Sequence, residues 1–212
     1  MEKSESLKTR LAVHAVIPST STNGPGLRYG IWVQGCGRGC PGCFNPRALP
    51  RLHEDAPDFK APAVSGWIEV GKLVEMIRQH AEEAPVEGLS MSGGEPFDQP
   101  EALRILFEAV REMGMSVLVF TGYTIEELRE KSETRIFFGS EPLIDILVDG
   151  PYVREEGVEG ELRGSENQRI HLMTERYTVE DLDPPGPLEC IINPDGSVSV
   201  TGFTRAPFQD GI

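Results

Sequence analysis

Gly35-Cys36-Gly37-Arg38-Gly39-Cys40-Pro41-Gly42-Cys43 follows directly on Tyr29-Gly30-Ile31-Trp32-Val33-Gln34, an apolar run that reads as a strand. A strand that opens into a loop holding three of the chain's 4 cysteines fixes where the chemistry sits and what architecture must support it. The spacing is C-x3-C-x2-C. Such a loop can wrap three thiolates around one cube of iron and sulfide, and its glycines let the backbone come close to inorganic sulfides. Three protein ligands leave one iron of the cube open. Clustered cysteines of this kind point to metal rather than to a disulfide framework. Two alternatives stay open on spacing alone: a zinc site completed by Cys190, or a redox-active pair at Cys40 and Cys43. Cys190 stands beside Ile191 and Ile192 and reads as a buried small hydrophobe. A dinucleotide-binding loop is a poor fit, because Pro41 and Pro46 interrupt the stretch where an amphipathic helix would have to open.

Outward from this junction, strands and helices alternate. Leu11 to Ile17 reads as a strand, followed by a turn region at Ser19 to Gly26. Beyond the cysteine loop, Asn45 to Pro62 is Pro-rich. Val70, Leu73, Val74, Ile77 and Ala81 recur at helical spacing and predict a helix from about Ile68 to Ala84. A strand near Gly88 to Met91 ends in Ser92-Gly93-Gly94-Glu95-Pro96. Leu103, Leu106, Phe107 and Val110 mark the next helix, with Asp98 near its start and Gly114 as its stop. Met115 to Phe120 is a strand, Thr124 with Glu127 forms a capping box for a third helix, and Ile144 to Val148 is a further buried strand. The βαβαβ order implies a parallel sheet with crossover helices, an α/β fold. The last third departs from it: Leu188 to Ile192 and Ser197 to Thr201 flank Asn193-Pro194-Asp195-Gly196 and read as a C-terminal β-hairpin, an edge extension or a lid.

The motif Ser92-Gly93-Gly94-Glu95 falls at a strand's carboxyl end, where open α/β sheets bind ligands. Consecutive glycines can expose backbone polar groups, and Glu95 adds a carboxylate able to accept from an ammonium group. Joined to a cluster with an open iron, these features call for a ligand with an amino acid head group.

The 212 residues suffice for one domain with a small appendage, a core at about 11–173 and a hairpin extension at about 186–204. A 39% hydrophobic content with 23 Gly and 17 Pro describes a turn-rich globular chain, not a disordered one. The formal charge of −14 repels phosphate backbones and anionic membranes, which argues against nucleic-acid and membrane partners and suits a basic protein surface. No apolar run reaches the length of a membrane span. Leu11 to Ile17 mimics a signal-peptide core but contains His14 and follows Glu2 and Glu5, so it reads as a strand of a cytoplasmic protein. His14, His53, His80 and His171 are scattered and read as structural, and Trp32 reads as core.

These motifs resemble the radical S-adenosylmethionine enzymes, and within them the glycyl-radical activating branch that serves anaerobic ribonucleotide reductases. The likeness covers about Asn23 to Met173. It rests on Asn23-Gly24-Pro25-Gly26-Leu27-Arg28, on Gly35-Cys36 through Cys43-Phe44-Asn45-Pro46, and on Ser92-Gly93-Gly94-Glu95-Pro96. It continues in Phe120-Thr121-Gly122-Tyr123-Thr124, in Asp149-Gly150-Pro151-Tyr152, and in Arg163-Gly164-Ser165 with Asn167-Gln168-Arg169. Gly42 stands where the wider family often has an aromatic residue, a feature shared with this branch.

The resemblance implies a partial, open (β/α) barrel of the radical S-adenosylmethionine type. It implies a four-iron four-sulfur cluster on Cys36, Cys40 and Cys43, and S-adenosylmethionine chelating the open iron. Ser92, Gly93, Gly94, Glu95, Thr121, Tyr123, Asp149, Arg163 and Arg169 are the implied cofactor contacts, and no further catalytic side chain is needed. The implied partners are a glycyl-radical enzyme, with anaerobic ribonucleotide reductase the candidate, and a one-electron donor such as flavodoxin or ferredoxin. Two other readings remain: the same activation turned on a peptide or small molecule, and a non-catalytic metal-stabilised interaction module.

Overall fold

The structure is a computed structural model and describes residues 3–61, 64–182, 188–192, 196 and 198–202. After a single turn of helix, α1 (Lys3–Ser6), the chain builds a seven-stranded sheet in the order β3-β1-β2-β4-β5-β6-β7. Its strands are β1 (Arg10–Thr20), β2 (Arg28–Val33), β3 (Gly66–Glu69), β4 (Gly88–Gly93), β5 (Ser116–Phe120), β6 (Ile146–Asp149) and β7 (Arg169–Leu172). The middle strands β2, β4, β5 and β6 are parallel. Their carboxyl ends therefore share one rim of the sheet, which is where the cysteine and glycine motifs emerge.

The sheet is mixed rather than wholly parallel. β1 runs antiparallel to both β2 and β3, and β7 runs antiparallel to β6. The short turn region from β1 to β2 explains the first reversal, because a parallel pair needs a long crossover. The expected helix at Ile68 to Ala84 also begins later. Gly66–Glu69 pairs with β1 as a strand, and α2 spans Val70–Glu83.

Helices α2, α3 (Pro100–Glu112) and α4 (Ile125–Glu130) all cover one face. Alternation along each strand sorts the side chains between faces. Tyr29, Ile31, Val33, Leu89, Met91, Val117, Val119 and Leu147 join the large core under the helices, with Leu73, Ile77, Leu103, Leu106 and Phe107. Leu118, Ile146 and Val148 point the other way and pack with Leu162 and Tyr177. Gly114, at φ +78°, ends the α3 segment, and Thr124 with Glu127 forms both bonds of the capping box on α4.

A second sheet consists of β8 (Glu189–Ile192) antiparallel to β9 (Val198–Thr201). Among the described residues it pairs with no strand of the main sheet, so it is not an edge extension. Residues 193–195, to which the hairpin turn was assigned, lie outside the described residues. Cys190 is exposed on β8 and is not the buried small hydrophobe its apolar neighbours suggest, because its side of that strand faces solvent.

Candidate active site

The cysteine loop leaves β2 and is moored to the glycine loop that leaves β4. Gly94 N donates to Val33 O at 2.8 Å, and Glu95 N donates to Gly35 O at 2.9 Å. This contact is what the paired glycines permit. A Cβ on Gly94 would lie 2.2 Å from Gly35 O, and Gly93 sits at φ +102° with Val33 N only 2.5 Å from where its Cβ would stand. Two of the glycine loop's amides therefore serve loop-to-loop docking.

Within the cysteine loop, Gly39 and Gly42 take positive φ values of +63° and +68°. The turns they allow bring backbone amides onto sulfur: Arg38 N donates to Cys36 Sγ at 3.3 Å and Asn45 N to Cys43 Sγ at 3.4 Å. Burial pushes the Cys36 and Cys43 thiols up, and these amide bonds oppose the shift. Cys36, Cys40 and Cys43 are all half-buried and all line one cavity of about 540 Å³. Among the described residues, no three His, Cys, Asp or Glu side chains are gathered closely enough to hold a single metal ion. Ligands of a cubane bind separate irons and need no such convergence. Half-buried thiols around open space, with N–H donors aimed at sulfur, fit an iron–sulfur cluster.

Glu95 is the buried hub of the rim, 1% exposed. Its Oε1 accepts from Phe97 N at 3.0 Å and from Thr121 Oγ1 at 2.7 Å, and its Oε2 accepts from Gly122 N at 2.9 Å. The loops after β4 and β5 are thereby held together. Burial raises the Glu95 carboxyl to about 7, against the opposing bonds from Thr121, Gly122 and Phe97. A carboxylate offers about four acceptor positions, so three bonds leave one, on Oε2.

The structure brings Cys36, Cys40, Cys43, Ser92, Gly93, Gly94, Glu95 and Thr121 together on the cavity wall. It does not bring Tyr123, Asp149, Arg163 or Arg169 there. Tyr123 donates its hydroxyl to Asp98 and carries the Arg38 guanidinium 4.5 Å from its ring centre. Asp149 is fully buried and accepts from Arg169 and from the Ile125 amide, while Arg169 also pairs with Glu126. Burial alone would raise the Asp149 carboxyl, but those bonds hold it below its usual value. Arg163 is spent on Glu161 and on the carbonyls of Glu166 and Gln168. Among the described residues, the cations on the wall are Arg38, which also pairs with Glu127 at 3.4 Å, and Arg154. The first lies inside the cysteine loop, and that position was the signal available in the sequence. Asn23, Trp32, Phe120 and Tyr152 complete much of the remaining wall.

Arg28 was legible only as part of a motif. It is fully buried, donating to Ser90 Oγ at 3.0 Å, Ser116 Oγ at 2.6 Å, Tyr177 OH at 3.2 Å and Leu89 O at 2.8 Å. It clamps β2, β4 and β5 from the face opposite the helices.

Residues 22–171 match the family model of the 4Fe-4S single cluster domain. The chain is 31% identical over 169 residues to the anaerobic ribonucleoside-triphosphate reductase-activating protein of Vibrio cholerae serotype O1, covering 76% of this chain and 97% of that one. The protein of that name from Escherichia coli K12 is 30% identical over 165 residues, covering 74% and 96%. The one from Enterobacteria phage T4 is 24% identical over 170 residues, covering 78% and 97%. Among solved structures, the crystal structure of QueE from Escherichia coli matches with a TM-score of 0.49 and 19% identity over 58% of each chain.

The family match and these relatives thus put the chain among the iron–sulfur proteins of the radical S-adenosylmethionine class, with a four-iron four-sulfur cluster domain that contains the cysteine loop. Within that class the chain belongs to the family of anaerobic ribonucleoside-triphosphate reductase-activating proteins, as its motifs led us to expect.

Proposed function

We propose that this chain generates a glycyl radical on a large partner enzyme, with an anaerobic ribonucleotide reductase as that partner. One observation carries the reading: the thiols of the β2 loop, the glycine loop after β4 and the Thr121–Gly122 turn after β5 meet on one cavity, joined through Glu95. When bound, the cluster and S-adenosylmethionine would supply reductive one-electron chemistry that ends in removal of one hydrogen atom from the substrate. The electron comes from a one-electron donor of the flavodoxin or ferredoxin kind.

The side chains bind, orient and exclude water. Cys36, Cys40 and Cys43 hold three irons. Gly93 and Gly94 keep the neighbouring loop tight against the cysteine loop, and the remaining acceptor position of Glu95 receives the methionine ammonium. Arg38 and Arg154 are the cations placed to meet its carboxylate. Tyr123, Asp149, Arg163 and Arg169 act behind the wall as supports rather than as ligands. The open sheet, helices on one face and cavity at the strand ends, serves as a partial barrel that a partner loop completes, and the single domain works in the cytoplasm. No described helix is long and apolar enough to cross a membrane.

The test is electron paramagnetic resonance on the reduced, reconstituted enzyme mixed with S-adenosylmethionine and the glycyl-radical enzyme encoded nearest to it. The expected result is a stable doublet on the partner from its one remaining α-hydrogen. Cleavage of S-adenosylmethionine with no radical on any such partner would move the reading to a peptide or small-molecule substrate.

A further inference from the structure

The family match ends at residue 171, yet a later segment forms part of the cavity wall: Leu188, Val200, Thr201 and Gly202 all line it. They belong to or adjoin the β8–β9 hairpin, which shares no strand pairing with the main sheet among the described residues. Side-chain links set its position. Glu189 Oε2 accepts from Thr20 Oγ1 at 2.7 Å and from Ser21 N at 3.2 Å. Across from it, Asn23 Nδ2 donates to Thr201 Oγ1 at 2.8 Å. These anchors are dry: Thr20, Asn23 and Thr201 are 0%, 5% and 6% exposed. Two residues further along β8 from Glu189, Ile191 packs on Ala15, Ile17 and Trp32, and Trp32 itself faces the cavity.

We propose that Glu189 and Thr201 are positioning residues that latch the hairpin onto Thr20, Ser21 and Asn23, and that the latched hairpin is a specificity wall. It sets the width of the opening through which the hydrogen donor reaches the cysteine loop, and it shields bound S-adenosylmethionine from water. The wall rests on the reading of the cavity given above; the latch does not. A segment joined to the sheet beneath it, among the described residues, by side-chain bonds and apolar packing rather than by strand pairing can open without unfolding that sheet. A donor presented on an extended segment can therefore enter by displacing the hairpin, which otherwise screens one side of the cavity from water.

The chain has 2 tryptophans, so Trp67→Phe leaves Trp32 as the sole reporter beneath the hairpin. In that background the double variant Glu189→Ala, Thr201→Val is expected to shift Trp32 emission to the red and to speed amide exchange in 189–192 and 198–201. Exchange in β2, β4 and β5 is expected to stay unchanged. After anaerobic reconstitution, S-adenosylmethionine affinity by equilibrium dialysis is expected to fall at least about fivefold, equivalent to ~1 kcal/mol. Glu189→Gln, which keeps an acceptor, is expected to fall less. Unchanged emission and exchange in the double variant overturn the latch. A loosened hairpin with unaltered affinity overturns the wall. A parent chain that binds no S-adenosylmethionine overturns the cavity reading and the wall with it, and amide exchange then judges the latch by itself.

Discussion

The hydroxyl of Tyr123 donates to Oδ1 of Asp98 at 3.0 Å, while Oδ2 of the same carboxylate accepts from Gly37 N at 3.2 Å and Arg51 at 3.0 Å. One side chain thus ties the cysteine loop, the loop after β4 and the loop after β5. Asp98→Ala is expected to lower stability by about 1–3 kcal/mol in urea unfolding of the metal-free chain. It is also expected to speed iron loss to a chelator. Tyr123→Phe removes one bond and is expected to cost about 0.5–1.5 kcal/mol. Equal iron release from all three proteins would show that the tie does not restrain the cysteine loop.

Glu95 gives the chain a pH dependence of defined sign. Its carboxyl is raised from a usual value of 4.5 to about 7, so between those values the folded chain holds a proton that the unfolded chain has released. Stability from this group is full below pH 4.5 and is lost as pH rises through 7, by an amount on the order of 3 kcal/mol. Glu95→Gln is expected to flatten that slope in denaturation series at pH 5 and pH 8, whatever its absolute stability. An undiminished slope would assign the titration elsewhere.

Gly94→Ala tests the docking of the two loops. Its Cβ would meet Gly35 O at 2.2 Å, so one loop must move. The circular dichroism of the chain is expected to persist while iron and sulfide incorporation drops well below the wild-type content. Normal incorporation would show that the close approach is not needed for the cluster.

Replacing Cys36, Cys40 or Cys43 by Ala is expected to abolish the reconstituted cluster, and Cys190→Ala to leave about four irons and four sulfides per chain. Loss with Cys190→Ala would mean four protein ligands, no open iron and no place for the methionine head group.

Arg28→Met tests the buried clamp. Arg28 is 0% exposed, and burial lowers its pKa. Its removal takes a donor from Ser90, Ser116, Tyr177 and the carbonyl of Leu89, while Ser90 keeps its bond to Asn23 O, Ser116 and Tyr177 keep each other, and Tyr177 keeps Glu87. A loss of about 1–3 kcal/mol is expected in urea unfolding, the range for removing one partner from buried hydrogen bonds. A loss below about 1 kcal/mol would show that Met fills the space and that water satisfies those groups.

What the sequence made legible followed from local chemistry. The C-x3-C-x2-C loop, the Ser92–Glu95 motif and the Thr124–Glu127 capping box each declare themselves within a few residues. The direction of β1 and β7 depends on which strand each meets, and no pattern inside Leu11 to Ile17 encodes that. Ile68 misled because, over the four residues of β3, a buried position two before Val70 is as compatible with a helical phase as with a strand's alternation. Arg163 and Arg169 drew attention as cations near motifs. Whether an arginine is spent on a carboxylate or free to meet a ligand depends on the folded neighbours, and Asp149, Glu126 and Glu161 were such neighbours. Glu95 was visible as a carboxylate in the right loop, but not as the hub bonded to Thr121 and Gly122 across the sheet.

The cavity draws its rim from loops that follow β2, β4, β5 and β6, and this sets an order of events at birth. During synthesis the three cysteines leave the ribosome long before Thr121, Gly122 and Gly150 exist. Parallel pairings across such separations are slow to form. The nascent cysteine loop is therefore a set of exposed thiols with no glycine loop to hold it and no wall to cover it. Iron and sulfide delivered then would meet a flexible chelator rather than a site, so cluster insertion belongs after the last parallel strand has docked.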